Sequence, residues 1–267
     1  MAVARIDWRD LPVAARSAVQ ACTGAVTAVE PVGTGLNSAV AVLLHTEAGR
    51  VFVKGLRSED PGATAQCREA AINPHVRVVS PRLRWQVRAG GWHLLGFDHL
   101  QGRHADYAPG SADVPLVVDA LDALGGIRDP GLPDDLVRRA EHRWAEFLQD
   151  AGFLAGPVLL HTDFNPLNVI VTGGGARLVD WAWPTLGAGW IDPACLVLLL
   201  MADGHDAASA ESWVARTEAW RTAPPAAVDA FAVVLCRMWE QITNQDPAPW
   251  KTRMATVARH WVQHRAG

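Results

Sequence analysis

Two short stretches of sequence carry most of the chemical information in this chain: HTDFNPLN at residues 161–168 and LVDW at residues 178–181. The first contains the carboxylate of Asp163 and, five positions later, the amide of Asn168; the second contains the carboxylate of Asp180. Carboxylate and amide oxygens are ligands that Mg²⁺ accepts in proteins, and a carboxylate can also take a proton from a hydroxyl group. The three side chains therefore predict a site for phosphate chemistry that depends on magnesium.

The surrounding sequence predicts that these residues lie on loops between strands. Apolar runs flank the first stretch on both sides, and the three glycines Gly173–Gly175 predict a turn before the second. We expect residues 158–180 to form a strand-rich segment whose loop carries Asp163 and Asn168. The hairpin that follows is expected to return Asp180 to the same metal ion.

The composition indicates a folded globular protein with one large domain or two lobes. The 267 residues are 49% hydrophobic and 19% charged, which distinguishes the chain from a disordered one. The 28 acidic and 24 basic residues give a net charge of −4. This balance argues against a general nucleic-acid binder, because such proteins carry a basic excess.

The cysteines and the apolar segments indicate the cellular compartment. Residues 1–8 carry charges where a signal peptide has its apolar core, and the longest apolar run, residues 191–202, is too short to cross a bilayer. The four cysteines are far apart and form no CxxC pair: Cys22, Cys67, Cys195 and Cys236. We therefore expect reduced thiols in a cytoplasmic protein without a membrane partner.

The spacing of the apolar residues predicts a sheet-rich first part and a mainly helical second part. In the first part, strands are predicted at residues 26–32, 39–46 and 51–54, a helix at Ala63–Asn73 and a hairpin at residues 87–97. In the second part, helices are predicted at residues 117–124, 134–151, 192–202, 207–220, 225–241 and 249–263. The expected fold class is therefore α+β, with two lobes that meet near residues 97–102.

The central motifs resemble the catalytic and metal-binding loops of the aminoglycoside phosphotransferase family, which is similar to the choline kinases. The resemblance rests on His161-x-Asp163-x-x-x-x-Asn168 and on Val179-Asp180-Trp181. It implies a bilobal protein-kinase-like fold, with a nucleotide-binding lobe at residues 1–100 and a catalytic and acceptor-binding lobe at residues 101–267. It also implies an O-phosphotransferase that uses ATP, or alternatively GTP, and a small-molecule hydroxyl as acceptor.

The resemblance assigns a role to each residue of the two stretches. Asp163 is expected to be the catalytic residue, which orients and deprotonates the acceptor hydroxyl. Asn168 and Asp180 are expected to hold Mg²⁺, and His161 is expected to support the loop structurally. Since the transition state of phosphoryl transfer is loose, positioning and charge neutralisation should contribute more than basicity.

Four segments of the first hundred residues resemble the parts of the family that bind the nucleotide. Lys54 is expected to grip the phosphates, and Glu69, on the following helix, is expected to orient Lys54. The loop expected to cover the nucleotide contains Gly33, Gly35, Asn37 and Ser38. The hinge expected to contact the adenine through backbone groups consists of Phe97, Asp98, His99 and Leu100.

The chain departs from the family pattern at two positions. The usual loop begins His-Gly-Asp, whereas this chain has Thr162 between His161 and Asp163. We expect this substitution to matter little, because the carboxylate and the amide keep their spacing. Asp192 resembles the residue that braces the catalytic loop, although it is followed by Pro193 where the family more often continues Leu-Ala.

Several functions stay open on the sequence alone. An antibiotic or related natural product is the favoured acceptor, and a metabolic kinase for an amino alcohol, a sugar or a nucleoside is the alternative. A nucleotide-binding regulator without transfer is expected to lose Lys54, Asp163 or Asp180, and this chain keeps all three. A metal hydrolase at His161, Asp163 and Asp180 ranks last, because the sequence has no HxH or HExxH motif.

Overall fold

The computed structural model describes residues 4–33 and 37–267. Contacts within the chain divide it into two compact units. The first unit comprises the described residues up to Gly102 together with the short segment Val179–Ala182, and the second comprises Arg103–Leu178 and Trp183–Gly267. The segment that contains Asp180 is therefore part of the first unit, although it follows strands of the second.

The first unit is built on an antiparallel sheet. Its strands are β1 (Val26–Pro31), β2 (Val40–Thr46), β3 (Gly49–Arg57), β4 (Leu83–Ala89) and β5 (Trp92–Asp98). Within the described ranges they form a five-stranded sheet in the order β1-β2-β3-β5-β4. The unit also contains two helices, α1 (Val13–Thr23) and α2 (Ala63–Ile72).

Both hairpins predicted in this unit are confirmed. Gly49, in the turn between β2 and β3, has a φ of 100°, and Gly90 and Gly91, in the turn between β4 and β5, have φ values of 59° and 78°. These left-handed conformations cost little at glycine, which has no Cβ. The two hairpins pair with each other through β3 and β5, where Lys54 lies opposite Leu95.

The helix α1 corrects the prediction that the first third of the chain consists mainly of strands. Its buried residues Ala15, Val19 and Thr23 are spaced by four positions, so they share one face of the helix. This face joins the hydrophobic core that also contains Trp92 of β5. The sequence predicted no helix for this segment.

The second unit contains most of the helices and the remaining strands. Its strands are β6 (Gly102–His104), β7 (Arg138–Arg139), β8 (Val158–Leu160), β9 (Val169–Thr172), β10 (Gly175–Leu178) and β11 (Thr185–Gly187). Its helices are α3 (Asp113–Gly125), α4 (Ala140–Arg143), α5 (Ile191–Ala202), α6 (Ala207–Val214), α7 (Glu218–Arg221), α8 (Pro225–Gln245) and α9 (Pro249–Arg265). In the part of the chain described, the strands form two small sheets, β10-β9-β6 and β7-β11-β8. The predicted α+β class, with a sheet-rich first part and a mainly helical second part, is confirmed.

Two helices predicted in the second unit are wrong in extent. The segment at residues 134–151 contains the four-residue α4 and a short 3-10 helix, Ala145–Phe147, because Arg138 and Arg139 pair in parallel with β11 instead of continuing a helix. Pairing between strands thus overrides the helical propensity of this segment. The segment at residues 207–220 is two helices, and the side chain of Thr217 caps the second by accepting the N–H of Trp220.

No helix among the described residues is long and apolar enough to cross a membrane. The four cysteines all lie in the described ranges and are free thiols.

We expect Gly96→Ala to destabilise the first unit, because a Cβ at Gly96 would lie 2.3 Å from the indole of Trp85. Overpacking of this kind lowers the free energy of unfolding by about 1–3 kcal/mol. Denaturant unfolding measures the change. Gly173→Ala is the control, because its Cβ meets no atom within 4 Å. Equal stability of the two variants would contradict the packing seen at Gly96.

Candidate active site

Lys54 is the centre of a buried ion-pair group in the first unit. It lies on β3 with 8% of its surface exposed. Its Nζ lies 2.6 Å from Oε2 of Glu69 on α2, and it donates to Oδ1 of Asp180 at 2.9 Å. The structure thus brings together three of the residues predicted for the site, although they are far apart in sequence.

The charges in this group are coupled. Burial by itself lowers the pKa of Lys54, but the carboxylates of Asp180 and Glu69 outweigh it, and the pKa of Lys54 lies above its ordinary value. Burial also raises the pKa of Glu69, an effect that the Lys54 ammonium opposes. Lys54 is therefore a cation at neutral pH, and it compensates two carboxylates.

The segment that carries Asp180 is anchored within the first unit by Trp181. The indole Nε1 of Trp181 donates to Oγ of Ser80 at 2.8 Å, and the Trp181 side chain is buried. Asp180 itself has a φ of 64°, in the left-handed region, which Asp tolerates better than most residues. Its side chain keeps 30% of its surface exposed, so the carboxylate is accessible to a ligand as well as to Lys54.

Asp163 and Asn168 lie on the loop between β8 and β9 in the second unit. The side chain of Asn165 accepts the N–H of Leu167 at 3.0 Å and begins a 3-10 turn, Pro166–Asn168. The amide Nδ2 of Asn168 donates to the backbone carbonyl of Asp163 at 3.2 Å. Since the amide nitrogen is used in this way, the amide oxygen of Asn168 is directed elsewhere, which suits a metal ligand.

Asp192 braces the beginning of this loop, as the resemblance predicts. Its Oδ2 accepts the N–H of His161 and its Oδ1 accepts the N–H of Thr162, both at 2.8 Å. Asp192 is buried in the first turn of α5. Burial raises the pKa of Asp192 to about 7, although both N–H groups and the charge of Arg143 favour the ionised form.

His161 and Phe164 anchor the same loop from within. Nδ1 of His161 accepts the N–H of Asp163 at 3.2 Å, and the buried His161 ring lies 5.5 Å from the ring of Phe164. The hydroxyl of Tyr107 donates to the carbonyl of Phe164 at 2.8 Å, and burial raises the pKa of Tyr107. These contacts fit the structural role that the sequence predicts for His161.

Thr162, which stands where the family's His-x-Asp motif usually has Gly, adds a constraint on the backbone that the sequence did not predict. Its φ is 64°, a left-handed conformation that a β-branched residue rarely adopts. Such a conformation costs about 1–3 kcal/mol unless neighbouring groups hold it. Oγ1 of Thr162 accepts a hydrogen bond from Nη1 of Arg143 at 2.6 Å. No motif or spacing in the sequence indicates this role of Arg143, which lies in the segment wrongly predicted as one helix.

The remaining predicted residues lie around the sheet of the first unit. Phe97 and Asp98 are the last residues of β5, and His99 and Leu100 follow it. Asp98 pairs with Arg82 at 3.3 Å. Gly33, Asn37 and Ser38 lie between β1 and β2, while Gly35 lies outside the described residues. Their contact with a nucleotide stays a prediction.

The donor atoms fit magnesium better than zinc. Asn168 and Asp180 offer amide and carboxylate oxygens, the ligands of a hard cation. Across residues 4–33 and 37–267, no group of three His, Cys, Asp or Glu side chains is arranged to hold a metal ion. Because Asn168 belongs to the second unit and Asp180 to the first, their shared metal ion stays a prediction.

The chain is similar in structure to several solved phosphotransferases. An aminoglycoside phosphotransferase from Alicyclobacillus acidocaldarius matches with a TM-score of 0.64 at 16% identity, over 96% of each chain. The choline kinase LicA from Streptococcus pneumoniae matches with a TM-score of 0.62 at 12% identity, over 93% of this chain and 97% of that one. A thermostable mutant of the aminoglycoside phosphotransferase APH(4)-Ia, in a ternary complex with AMP-PNP and hygromycin B, matches with a TM-score of 0.58 at 14% identity, over 91% and 97%.

The chain has the protein-kinase-like fold of these phosphotransferases. The resemblance predicted from the motifs is thereby confirmed for the fold. No protein-family model matches the chain, and no curated protein sequence matches it. The assignment of roles to individual residues therefore rests on the geometry of this chain's own side chains.

We expect Lys54→Met to lower the free energy of unfolding by about 3–5 kcal/mol, because it leaves the buried Glu69 without its cation. A second substitution, Glu69→Gln, should recover part of the loss by removing the charge. Lys251→Met is the control, because the partner of this other lysine, Asp246, is exposed, and such pairs contribute about 1 kcal/mol or less. Denaturant unfolding compares the variants, and equal losses at the two lysines would contradict the buried ion pair.

We expect the contribution of Asp192 to stability to fall as the pH rises. Above its ordinary pKa of 3.8 the unfolded chain has lost this proton, whereas the folded protein keeps it up to about pH 7. The folded state then binds more protons, so the free energy of unfolding decreases with pH across this range. The difference in unfolding free energy between wild type and Asp192→Asn, which does not titrate, should shrink from about pH 5 to pH 7. A constant or growing difference would contradict the raised pKa.

Proposed function

We propose that the protein is a Mg²⁺-dependent kinase that transfers the γ-phosphoryl group of ATP to a hydroxyl group of a small molecule. The observation that supports this most directly is the contact of Lys54 with both Glu69 and Asp180. A buried lysine between two carboxylates can exchange one of them for a nucleotide phosphate without losing its compensation of charge. The protein-kinase-like fold supports the interpretation of this contact as part of a nucleotide site.

In this proposal residues 1–100 bind the nucleotide. Lys54 contacts the phosphates, and Glu69, which is buried, holds its ammonium in place. The loop that contains Gly33, Gly35, Asn37 and Ser38 covers the phosphates. The residues Phe97, Asp98, His99 and Leu100 contact the base through their backbone, with ATP or GTP as the nucleotide.

Residues 101–267 supply the catalytic groups and the acceptor site. Asn168 and Asp180 hold Mg²⁺, which neutralises negative charge on the phosphates when it is bound. Asp163 hydrogen-bonds to the acceptor hydroxyl and orients it. As the oxygen–phosphorus bond forms, Asp163 takes the proton, the bond from the γ-phosphorus to the bridging oxygen breaks, and the nucleoside diphosphate leaves.

We propose an antibiotic or a related natural product as the acceptor. Support comes from two similar structures, an aminoglycoside phosphotransferase and the APH(4)-Ia complex that contains hygromycin B. The similarity to the choline kinase LicA supports the alternative, a metabolic kinase for an amino alcohol, a sugar or a nucleoside. Because the reaction consumes ATP, with Mg²⁺ as a cofactor that is not used up, we propose the cytoplasm as its compartment.

A panel of antibiotics, amino alcohols, sugars and nucleosides, incubated with Mg·ATP and the protein, tests the reaction. Phosphorylation adds a fixed mass to the acceptor, so mass spectrometry identifies the product directly. A phosphorylated antibiotic supports the proposed acceptor class, and a phosphorylated amino alcohol, sugar or nucleoside supports the alternative. Binding of Mg·ATP without any product across the panel favours a nucleotide-binding regulator and contradicts the proposal.

We expect Asp163→Asn to reduce phosphorylation by about 10²–10⁴-fold, because the amide neither takes the proton nor carries the negative charge that orients the hydroxyl. The affinity for ATP, measured by calorimetry, should change little. Asp119→Asn is the matched control, because Asp119 is an exposed carboxylate on α3. If Asp163→Asn and Asp119→Asn turn over at the same rate, Asp163 is not the catalytic residue.

A further inference from the structure

The backbone at Thr162 sets the direction in which the chain continues into Asp163. Thr162 and Asp180 are the two residues other than glycine with positive φ in the described ranges. The left-handed conformation of Thr162 lets the N–H of Asp163 turn back and donate to Nδ1 of His161. The position of Asp163 therefore depends on a conformation that threonine does not favour by itself.

Arg143 holds the side chain of Thr162 from the opposite side of the loop. Its Nη1 contacts Oγ1 of Thr162 at 2.6 Å, Oγ1 of Thr185 at 2.8 Å and the carbonyl of Trp183 at 3.2 Å. The hydroxyl of Thr162 in turn donates to the same carbonyl of Trp183 at 3.2 Å. A charged donor makes the stronger kind of hydrogen bond, so this contact can fix a rotamer and a backbone conformation together.

Arg143 is itself fixed in place. It is the last residue of α4, and its guanidinium carbon lies 4.8 Å from the ring centre of Trp144 and 5.7 Å from that of Trp183. The preceding residues Arg138 and Arg139 pair with β11. Burial lowers the pKa of Arg143, and the nearby carboxylates of Asp192 and Asp163 oppose that effect. The guanidinium is thus a preorganised donor directed at the loop.

We propose that Arg143 is a positioning residue that stabilises the left-handed conformation of Thr162 and thereby orients Asp163. This inference rests on the proposed function only for its effect on turnover; the coupling between Arg143 and the loop can be measured without a substrate. A glycine at position 162 would adopt the left-handed conformation at little cost. Threonine does not, and its hydrogen bond from Arg143 compensates for the difference.

Three substitutions at position 162 separate the hydroxyl from the backbone preference. Thr162→Ser keeps the hydroxyl and should behave like wild type. Thr162→Val keeps the branched Cβ but loses the hydroxyl, so hydrogen exchange of the amides in residues 161–168 should accelerate about tenfold or more. Thr162→Gly should stay within about threefold of wild type, because the conformation then needs no partner.

Arg143→Met tests the coupling in two backgrounds. We expect it to accelerate exchange of the loop amides about tenfold in wild type and to have little effect in Thr162→Gly. Thr185→Val is the control, because it removes another hydroxyl partner of Arg143 and leaves Thr162 intact. Equal effects of Arg143→Met in both backgrounds, or of Thr185→Val and Thr162→Val, would overturn the inference. If Arg143→Met does not fold, the series at position 162 decides.

Turnover provides the second measurement. Transfer from Mg·ATP to water, or to an acceptor found in the panel, should show a kcat about tenfold lower for Thr162→Val, with the KM for ATP within about twofold of wild type. Thr162→Ser and Thr162→Gly should restore kcat. A wild type without turnover would contradict the proposed function but leave the exchange result valid. If the wild type is active but Arg143→Met accelerates exchange equally in the wild-type and Thr162→Gly backgrounds, the role of Arg143 is contradicted. The proposed function is not contradicted by that result.

Discussion

The carboxylate of Asp192 accepts the backbone N–H groups of both His161 and Thr162, and the candidate catalytic loop depends on this contact. A buried carboxylate is costly unless its oxygens have hydrogen-bond donors, and the two N–H groups would be equally costly without an acceptor. The loop and the first turn of α5 therefore stabilise each other. The two residues before Asp163 in the chain are held in place by Asp192, which restricts the position of Asp163.

In the first unit, too, a buried charge is stabilised by the groups that contact it, but here the charge is positive. There Lys54 is the buried cation, and Glu69 and Asp180 provide its compensation. In the Asp192 contacts and in the Lys54 ion pairs, short hydrogen bonds hold the charged atoms in place. These side chains therefore need to move little when a ligand binds. Preorganised charge of this kind contributes more to phosphoryl transfer than the basicity of any single residue.

Thr162 stands where the family usually has glycine, and this substitution places a Cβ on a left-handed backbone. A residue with a Cβ in the left-handed region needs support from outside the loop, and Arg143 supplies it. The prediction of a long helix at residues 134–151 fails at the same place. Arg138 and Arg139 pair with β11, the helix is reduced to α4, and Arg143 reaches the loop from its end.

Residue type and spacing singled out Asp163, Asn168 and Asp180 and predicted the α+β class, and the resemblance to the family added Lys54 and Glu69. Apolar periodicity and turn residues are local properties, which is why the two hairpins of the first unit were predicted; the helix α1 was not predicted. Arg143 could not be identified as a partner of the loop in this way, whereas the resemblance to the family indicated Asp192. Arg143 and Thr162 are 19 residues apart, and Asp192 and Thr162 are 30 apart. Contacts over such separations depend on how strands and helices pack, and no local pattern in the sequence encodes which donor meets which acceptor.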